Sequence, residues 1–428
     1  MSQIVDAAAF AASLHWQRVK VAYAGHVRRD PLALLNLHRG QADPYPLYER
    51  VRASGTLVPT RLGWMSASHQ VCDSVLRNRR FGVRLRDDDA RDVDLSFLAK
   101  NPPDHTRIRR VAMPSFSPKA VAGYRDRIEN KTRQLLDLAT GNGEFDLVAV
   151  LAAPLPIAVI TDLLGIPDAD AEAFKQHGAV FGGALDGIKS LRQASQLYAH
   201  SLKLEALFEK IFEIRRREPT DDIISRLLAA EGDQVTPAEV QAMCMLLLIA
   251  GFETTVNLIG NCVLALLNHR EQWEELCANP RDLAAKAVEE TLRFDSPVQM
   301  VSRVALEPLD LEGHPVSRGH QVVTLIGGAN RDPKVYAEPD TFNIHREAAA
   351  EHLAFSSGIH YCLGQALARL EAIIALQMLA ERMPGLTLAG PIRRRQTTTL
   401  RGPLYLPVST GKTTSARLSP APALSRRS

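Results

Sequence analysis

One stretch, from Thr236 to about His269, restricts the fold more than any other part of the chain. Thr236-Pro237-Ala238-Glu239 is a helix start, with a hydroxyl at the cap, proline at the first position and glutamate at the third. A helix running from there to His269 would be about 50 Å long at ~1.5 Å per residue, enough to cross a whole domain. Residues 242–252 (Ala-Met-Cys-Met-Leu-Leu-Leu-Ile-Ala-Gly-Phe) are apolar all round, so the helix offers no face to water and other elements must enclose it. Glu253-Thr254-Thr255 then interrupts the apolar run, and an acid in the middle of a buried helix is costly. Ala250 and Thr254 share a face with Gly251 beside them, and such small residues leave room for a ligand. A threonine hydroxyl that bonds back to a carbonyl one turn earlier loosens the helix and opens a notch. On this helix alone two readings stand, a ligand notch and a kink with a solvent-linked acid.

The rest of the chain reads as mainly α with a minor β region. Residues 1–43 form a helical lead-in, and 44–86 mix short helix and strand signals. Residues 84–94, with Asp87-Asp88-Asp89, read as a solvated loop. From Asp104 to about Leu276 the pattern is mostly helical. Strand signals follow at Val298–Val304 and His320–Leu325, then a Pro- and Asp-rich loop at 331–346, a helix at 363–382 and a strand-turn segment at 386–408. The tail, 411–428, is rich in Ser, Thr, Pro and Arg and is expected to be disordered. The regular βαβ alternation of a doubly wound fold is missing. A net charge of +3 over 428 residues is too small to argue for nucleic acid. The five cysteines (Cys72, Cys244, Cys262, Cys277, Cys362) form no CxxC pair and fit reduced cytosolic thiols. The apolar run Ala7–Leu14 is far short of the roughly 20 residues of a membrane span, so the expectation is a cytoplasmic protein without a transmembrane anchor. A weaker alternative is an N-terminal amphipathic helix on a membrane surface, with Trp16, Arg18 and Lys20 at the interface.

A second stretch carries the chemistry: Phe355-Ser356-Ser357-Gly358-Ile359-His360-Tyr361-Cys362-Leu363-Gly364-Gln365-Ala366-Leu367-Ala368-Arg369. Glycines on both sides of Cys362 let the backbone pass close to something flat and bulky. The sulfur falls at a helix start, where free N–H groups and the helix dipole favour a thiolate suited to hold one face of an iron. A zinc site from His352, His360 and Cys362 fits less well, because a tetrahedral ion does not call for glycines and a phenylalanine around one cysteine.

This stretch resembles the haem-ligand signature of the cytochrome P-450 family, with Cys362 at the position of the iron ligand. The resemblance implies a single catalytic domain over residues 44–410, with haem b between the long central helix and the cysteine loop. It assigns Ala250–Thr255 to oxygen activation, with Glu253 and Thr254 delivering protons, and this acid–alcohol pair argues against the peroxide-using branch of the family. Phe355, Gly364 and Ala250 fall at cofactor-contact positions. His105, Arg109, Arg303 and His360 match the groups that hold the haem propionates. Glu290 and Arg293, three apart on one helix face, match a brace completed by Arg346. Leu163-Leu164-Gly165-Ile166-Pro167 and Ala329-Asn330-Arg331-Asp332-Pro333 are further matches. Arg107 and Arg110 read as surface charges and His352 as a structural donor. One departure is Ser356, where the family has glycine, which affects the loop conformation and the iron potential rather than the ligation.

The activity implied is a monooxygenase that takes two electrons from a partner and puts one atom of O2 into a lipophilic substrate by hydroxylation or epoxidation. Without a fused dinucleotide fingerprint or cysteine cluster, electrons from NAD(P)H must arrive through a separate ferredoxin or flavodoxin with its reductase, docking on the cysteine side near Arg107 and Arg110. Pocket walls are expected from 84–100, 174–197, 250–255, 298–301 and 397–400, in a monomer. The alternative is a haem-thiolate ligand-binding protein without turnover, which would have no need of the Glu253–Thr254 pair.

Overall fold

The computed structural model describes residues 15–16, 18–85, 96–139, 143–182, 190–347 and 350–410. The apolar run 7–14, the triple aspartate at 87–89, the apolar end of the first pocket wall at Leu95, the tip of the second at 183–185 and the tail 411–428 lie outside them.

The central helix runs Pro237–Asn268, 32 residues, one short of its expected end. Its start is a complete capping box: the Glu239 amide donates to Thr236 Oγ1 at 3.3 Å, and the Thr236 amide donates to Glu239 Oε2 at 2.9 Å. Other elements enclose it as its composition requires. It packs against helices Pro154–Leu164, Asp168–Gly182, Pro280–Phe294 and Gln365–Arg382. Each Leu or Ile fully buried this way, such as Leu248 and Ile259, contributes about 1.5–3 kcal/mol. Among the described residues it is the one helix long and apolar enough to cross a membrane, and 72% of its apolar window is buried inside the protein. A further helix, Leu191–Arg217, lies over Asp168–Gly182.

The minor β region is a five-stranded sheet in the order Val58–Thr60, Gly63–Ser66, Gln321–Thr324, Val301–Ala305, Phe81–Gly82. One pairing, Gly63–Ser66 with Gln321–Thr324, is parallel and the others are antiparallel. Alternation along Val301–Ala305 puts Val301 and Arg303 on the same face. At the N-terminus the helical residues 18–26 leave Val19 and Tyr23 exposed, in line with exposed Trp16 and Val27. All five cysteines are free thiols.

Two ionic ties fix the frame. Glu290, 5% exposed, takes Arg293 Nη2 at 2.7 Å and Nε at 2.8 Å, the Asn343 amide at 2.9 Å and Arg346 Nε at 3.2 Å. Arg293 also donates to the carbonyls of Asn330, Pro339 and Thr341, so the network knits helix Pro280–Phe294 to the loop that leads into the cysteine segment. The second tie concerns Arg107. Its side chain reaches the surface but is engaged internally, with Glu239 Oε1 and Asp104 Oδ1 both at 2.7 Å and the Gln234 carbonyl also at 2.7 Å. Arg107 thereby holds the Glu239 carboxyl down to about 2. Of the two arginines expected as surface charges, Arg110 alone is both exposed and outside such a network.

Replacing one member of the buried brace leaves its partner charge uncompensated. Arg293→Met is expected to cost about 3–5 kcal/mol of unfolding free energy, read from urea or guanidinium titration. A loss below about 1 kcal/mol would place this network with ordinary surface pairs.

Candidate functional site

The cysteine segment leaves the brace through a tight loop. The backbone turns at Gly358, whose φ is +70 and whose missing Cβ would come within 2.5 Å of the Leu76 carbonyl oxygen. Ser356 also has a positive φ, +64. The departure from glycine thus sits where the loop needs the left-handed region, at a cost of order 1–2 kcal/mol for a residue with a Cβ. The Cys362 amide donates to the Phe355 carbonyl at 2.9 Å, and helix Gln365–Arg382 begins three residues past the cysteine. Behind the loop, Arg369 stacks on the Phe355 ring at 4.4 Å and pairs with Glu289 at 2.6 Å. His352 bonds the same carboxylate at 3.1 Å, so it is a structural group. Burial raises the Glu289 pKa, but the bonds from His352 and Arg369 outweigh it and hold the carboxyl at about 2. Among the described residues no three His, Cys, Asp or Glu side chains gather as a metal site, so His352, His360 and Cys362 do not form a zinc centre.

Cys362 opens onto a cavity that lies between the central helix and the cysteine loop. Its wall is mostly apolar and includes Ala250, Gly251, Thr254, Phe355 and Gly364. A Cβ on Gly364 would meet nothing within 4 Å, so this position faces open space. Burial pushes the Cys362 thiol up; the Gly364 amide, Arg109 and Arg369 pull the other way without cancelling it. A cation bound at the sulfur would favour the thiolate, in the same direction as the helix start and the two arginines.

At one edge of the cavity the groups expected to bind an anion come together. His105 and His360 are 2% and 8% exposed, with ring centroids 4.3 Å apart. None of their four ring nitrogens has a protein partner among the described residues. Burial, then Arg109 and Arg303, push His105 down to about 4. Burial, then Arg303, His105 and Arg109, push His360 to about 3. Arg303 is 7% exposed, donates to the Ser302 carbonyl at 3.0 Å, and is pushed down by burial to about 10. Arg109 donates to the Tyr361 carbonyl and lies over the Phe97 ring at 5.7 Å. Two arginines and two neutral imidazoles, three of the four buried and none bonded to an acidic side chain among the described residues, fit an anionic guest, and the two carboxylates of a haem meet that requirement.

The central helix behaves at its notch as its composition implied. Thr254 Oγ1 donates to the Ala250 carbonyl at 2.8 Å, and both residues line the cavity. Glu253 does not line it. It is 4% exposed and paired with Arg395 at 2.6 Å on another side of the helix. Consecutive helical residues point about 100° apart, and here the turn away from Thr254 takes Glu253 to Arg395 and off the cavity wall. Of the expected walls, Phe97 and Leu98 of 84–100, Ala250–Thr255 apart from Phe252 and Glu253, and Val298 and Val301 reach the cavity. The described residues of 174–197 and all of 397–400 do not reach it. Leu400 instead pairs with Val298 from behind. Two charged residues escaped the sequence reading, Arg395 and Glu371. Glu371 is 3% exposed and lines the cavity. Its signal was an acid among Leu367, Ala372 and Ile374 on an apolar helix.

The comparisons with known proteins agree with this geometry. The family model described as cytochrome P450 matches residues 73–382. The biotin biosynthesis cytochrome P450 of Bacillus subtilis is 39% identical over 360 residues, covering 81% of this chain and 91% of that protein. Cytochrome P450 monooxygenase PikC of Streptomyces venezuelae is 36% identical, covering 81% of this chain and 85% of that protein. Among solved structures, P450BioI in complex with acyl carrier protein carrying hexadec-9Z-enoic acid is 38% identical, with a TM-score of 0.81, over 86% of this chain and 99% of that one. The relatives named as monooxygenases remove the reading of a binder without turnover. The chain belongs to the cytochrome P450 family, as a haem b monooxygenase that draws on NAD(P)H through partner proteins.

Proposed function

We propose that this enzyme oxygenates a lipophilic small molecule, in a single catalytic domain spanning residues 44–410, with Cys362 as the axial ligand of its haem. The observation that carries the reading is the joining of an apolar cavity, a half-buried cysteine and an edge of two arginines and two imidazoles whose ring nitrogens have no partner among the described residues. When bound, the haem supplies the dioxygen chemistry and the oxidising power toward an unreactive C–H or C=C bond. The chain supplies the rest. Cys362 would hold the iron, with Phe355 and Gly364 lining the cavity beside it. His105, Arg109, Arg303 and His360 take the propionates, which gives the orphaned imidazole nitrogens their partners. Ala250 and Gly251 leave space on the opposite side. Thr254 holds a hydroxyl there with its proton on the Ala250 carbonyl, so its oxygen keeps acceptor capacity toward the cavity. Glu253, paired with Arg395 away from the cavity, serves the relay from the solvent side rather than by direct contact.

The substrate class follows from the wall. Apolar side chains such as Phe97, Leu246, Leu247 and Val298 reward burial of hydrocarbon and offer few directional contacts. Similar proteins have been solved with such molecules, including an acyl chain on acyl carrier protein, myristic acid and testosterone. Electrons come from a ferredoxin or flavodoxin with its reductase, docking on the cysteine side. With Arg107 engaged by Glu239, Arg110 is the better candidate of the two for an acidic partner. A cytoplasmic monomer is the form proposed.

The purified protein, reduced under carbon monoxide, is expected to show the strongly red-shifted Soret band of thiolate-ligated haem. Cys362→Ser is expected to lose that band. Its retention in the variant, or its absence from the wild type, would overturn the ligand assignment.

Thr254→Ala is expected to bind substrate and haem normally but to divert about 90% or more of the electrons into hydrogen peroxide, in line with the ~10-fold or larger effects of lost proton-transfer groups. Product per NAD(P)H at the wild-type value would remove Thr254 from the relay.

A further inference from the structure

We propose that the N-terminal helix is a membrane-surface contact, whose outward face of Trp16, Val19, Tyr23 and Val27 rests on a bilayer rich in anionic lipid. This goes beyond the oxygenase reading and does not depend on it. Residues 15–16 and 18–26 are helical. Trp16, Val19, Tyr23 and Val27 follow one another at steps of three, four and four residues, which places them in one stripe. They are 61%, 43%, 53% and 64% exposed, and apolar side chains gathered in a row, unlike single ones, mark a surface that meets something. The opposite face belongs to the fold. Ala24 and Gly25 are buried, Val21 and Ala22 are half-buried, and a Cβ on Gly25 would stand 2.9 Å from Leu37 Cδ1. The turn between Val58–Thr60 and Gly63–Ser66 is tied to the end of this helix, because Asp30 Oδ2 accepts the Arg61 amide at 2.9 Å, and it adds exposed Leu62.

Charge identifies the occupant. Residues 7–29 hold Arg18, Lys20, Arg28 and Arg29 and no acid. Asp30, the first acid to follow, has both oxygens taken by backbone amides, Ala33 at 2.8 Å and Arg61 at 2.9 Å. Lys20 and Arg29 are exposed without a carboxylate partner among the described residues, and Arg28 lies over the Tyr23 ring at 5.7 Å. An apolar stripe flanked by cations matches acyl chains beneath anionic headgroups. Tryptophan and tyrosine settle at that boundary, with the ring among the chains and the polar atom at the headgroups. Each nearby cation adds attraction that salt screens. A second copy of the chain would set like charges face to face. A single short helix of this kind lies in the interface without spanning it, so the contact is peripheral and reversible. For an enzyme of lipophilic molecules, it holds the protein beside the phase in which they accumulate.

The test is flotation of the full-length, haem-loaded protein with vesicles of phosphatidylcholine alone, or of equal parts phosphatidylcholine and phosphatidylglycerol. Binding to the mixed vesicles is expected to exceed binding to phosphatidylcholine by about 10-fold or more and to fall as salt is raised. Lys20→Gln combined with Arg29→Gln is expected to weaken it about 25-fold, at ~5-fold for each cation. Val19→Glu combined with Tyr23→Glu, both at exposed positions, is expected to abolish it. Bromine-labelled acyl chains are expected to quench tryptophan emission in the wild type, and the quenching to fall in Trp16→Phe, which keeps Trp64 and Trp273. The reduced carbon monoxide spectrum stays at the wild-type position in every variant, which separates this contact from the active site. Equal binding to both kinds of vesicle, binding to neither, or unchanged binding by the double glutamate variant overturns the proposal. A stripe that captures an acidic protein but no vesicle overturns it as well and assigns the face to that partner.

Discussion

The structure depends on one constraint, the enclosure of a 32-residue helix that has no polar face. Such a helix is unstable alone in water and gains its stability from what packs on it. Seven other helices meet it among the described residues, and the main core cluster forms around it. Because a close-packed core tolerates few voids, a cavity can exist only where the sequence withholds side-chain volume. Ala250, Gly251 and the back-bonded Thr254 do so at one level of the helix, and the cavity opens at that level. The cysteine loop closes the opposite side, held by the Glu290–Arg293–Arg346 brace and by Glu289 with Arg369 and His352.

Much of this frame was legible in the residues because its causes are local. The capping box at Thr236, the apolar circumference of the helix, and the three-residue spacing of Glu290 and Arg293 each specify a near neighbour. The family resemblance brought distant residues together where local rules could not, as with His105, Arg109, Arg303 and His360. What escaped had no local signature. Arg395 meets Glu253 across more than a hundred residues of chain, and sequence spacing says nothing of such a meeting. Glu371 looked like one more charge on a long helix until the cavity wall was known. For Cys362 the helix start and nearby arginines were visible in the sequence, while the surroundings that oppose ionisation in the absence of a metal were not.

The electrostatic layout follows from separating charge by location. Two arginines and two imidazoles gather at one edge of the cavity, where burial has pushed both imidazoles toward the neutral form. The ion pair of Glu253 is kept outside the wall, and the unpaired acid of Glu371 is kept inside it. A site built this way binds an anion strongly at its edge and hydrocarbon at its centre, and it keeps proton-bearing groups few in number.

The bond between Arg107 and Glu239 couples two walls mechanically. Helix Asp104–Ala112 carries His105 and Arg109 at the cationic edge, and Glu239 belongs to the first turn of the helix that carries the notch. The Thr236 amide and the guanidinium share one carboxylate, so the start of the long helix is tied to the short one. Any guest that shifts the notch therefore tugs on the grip at the far edge, and the two ends of the chamber answer to each other through a single strut.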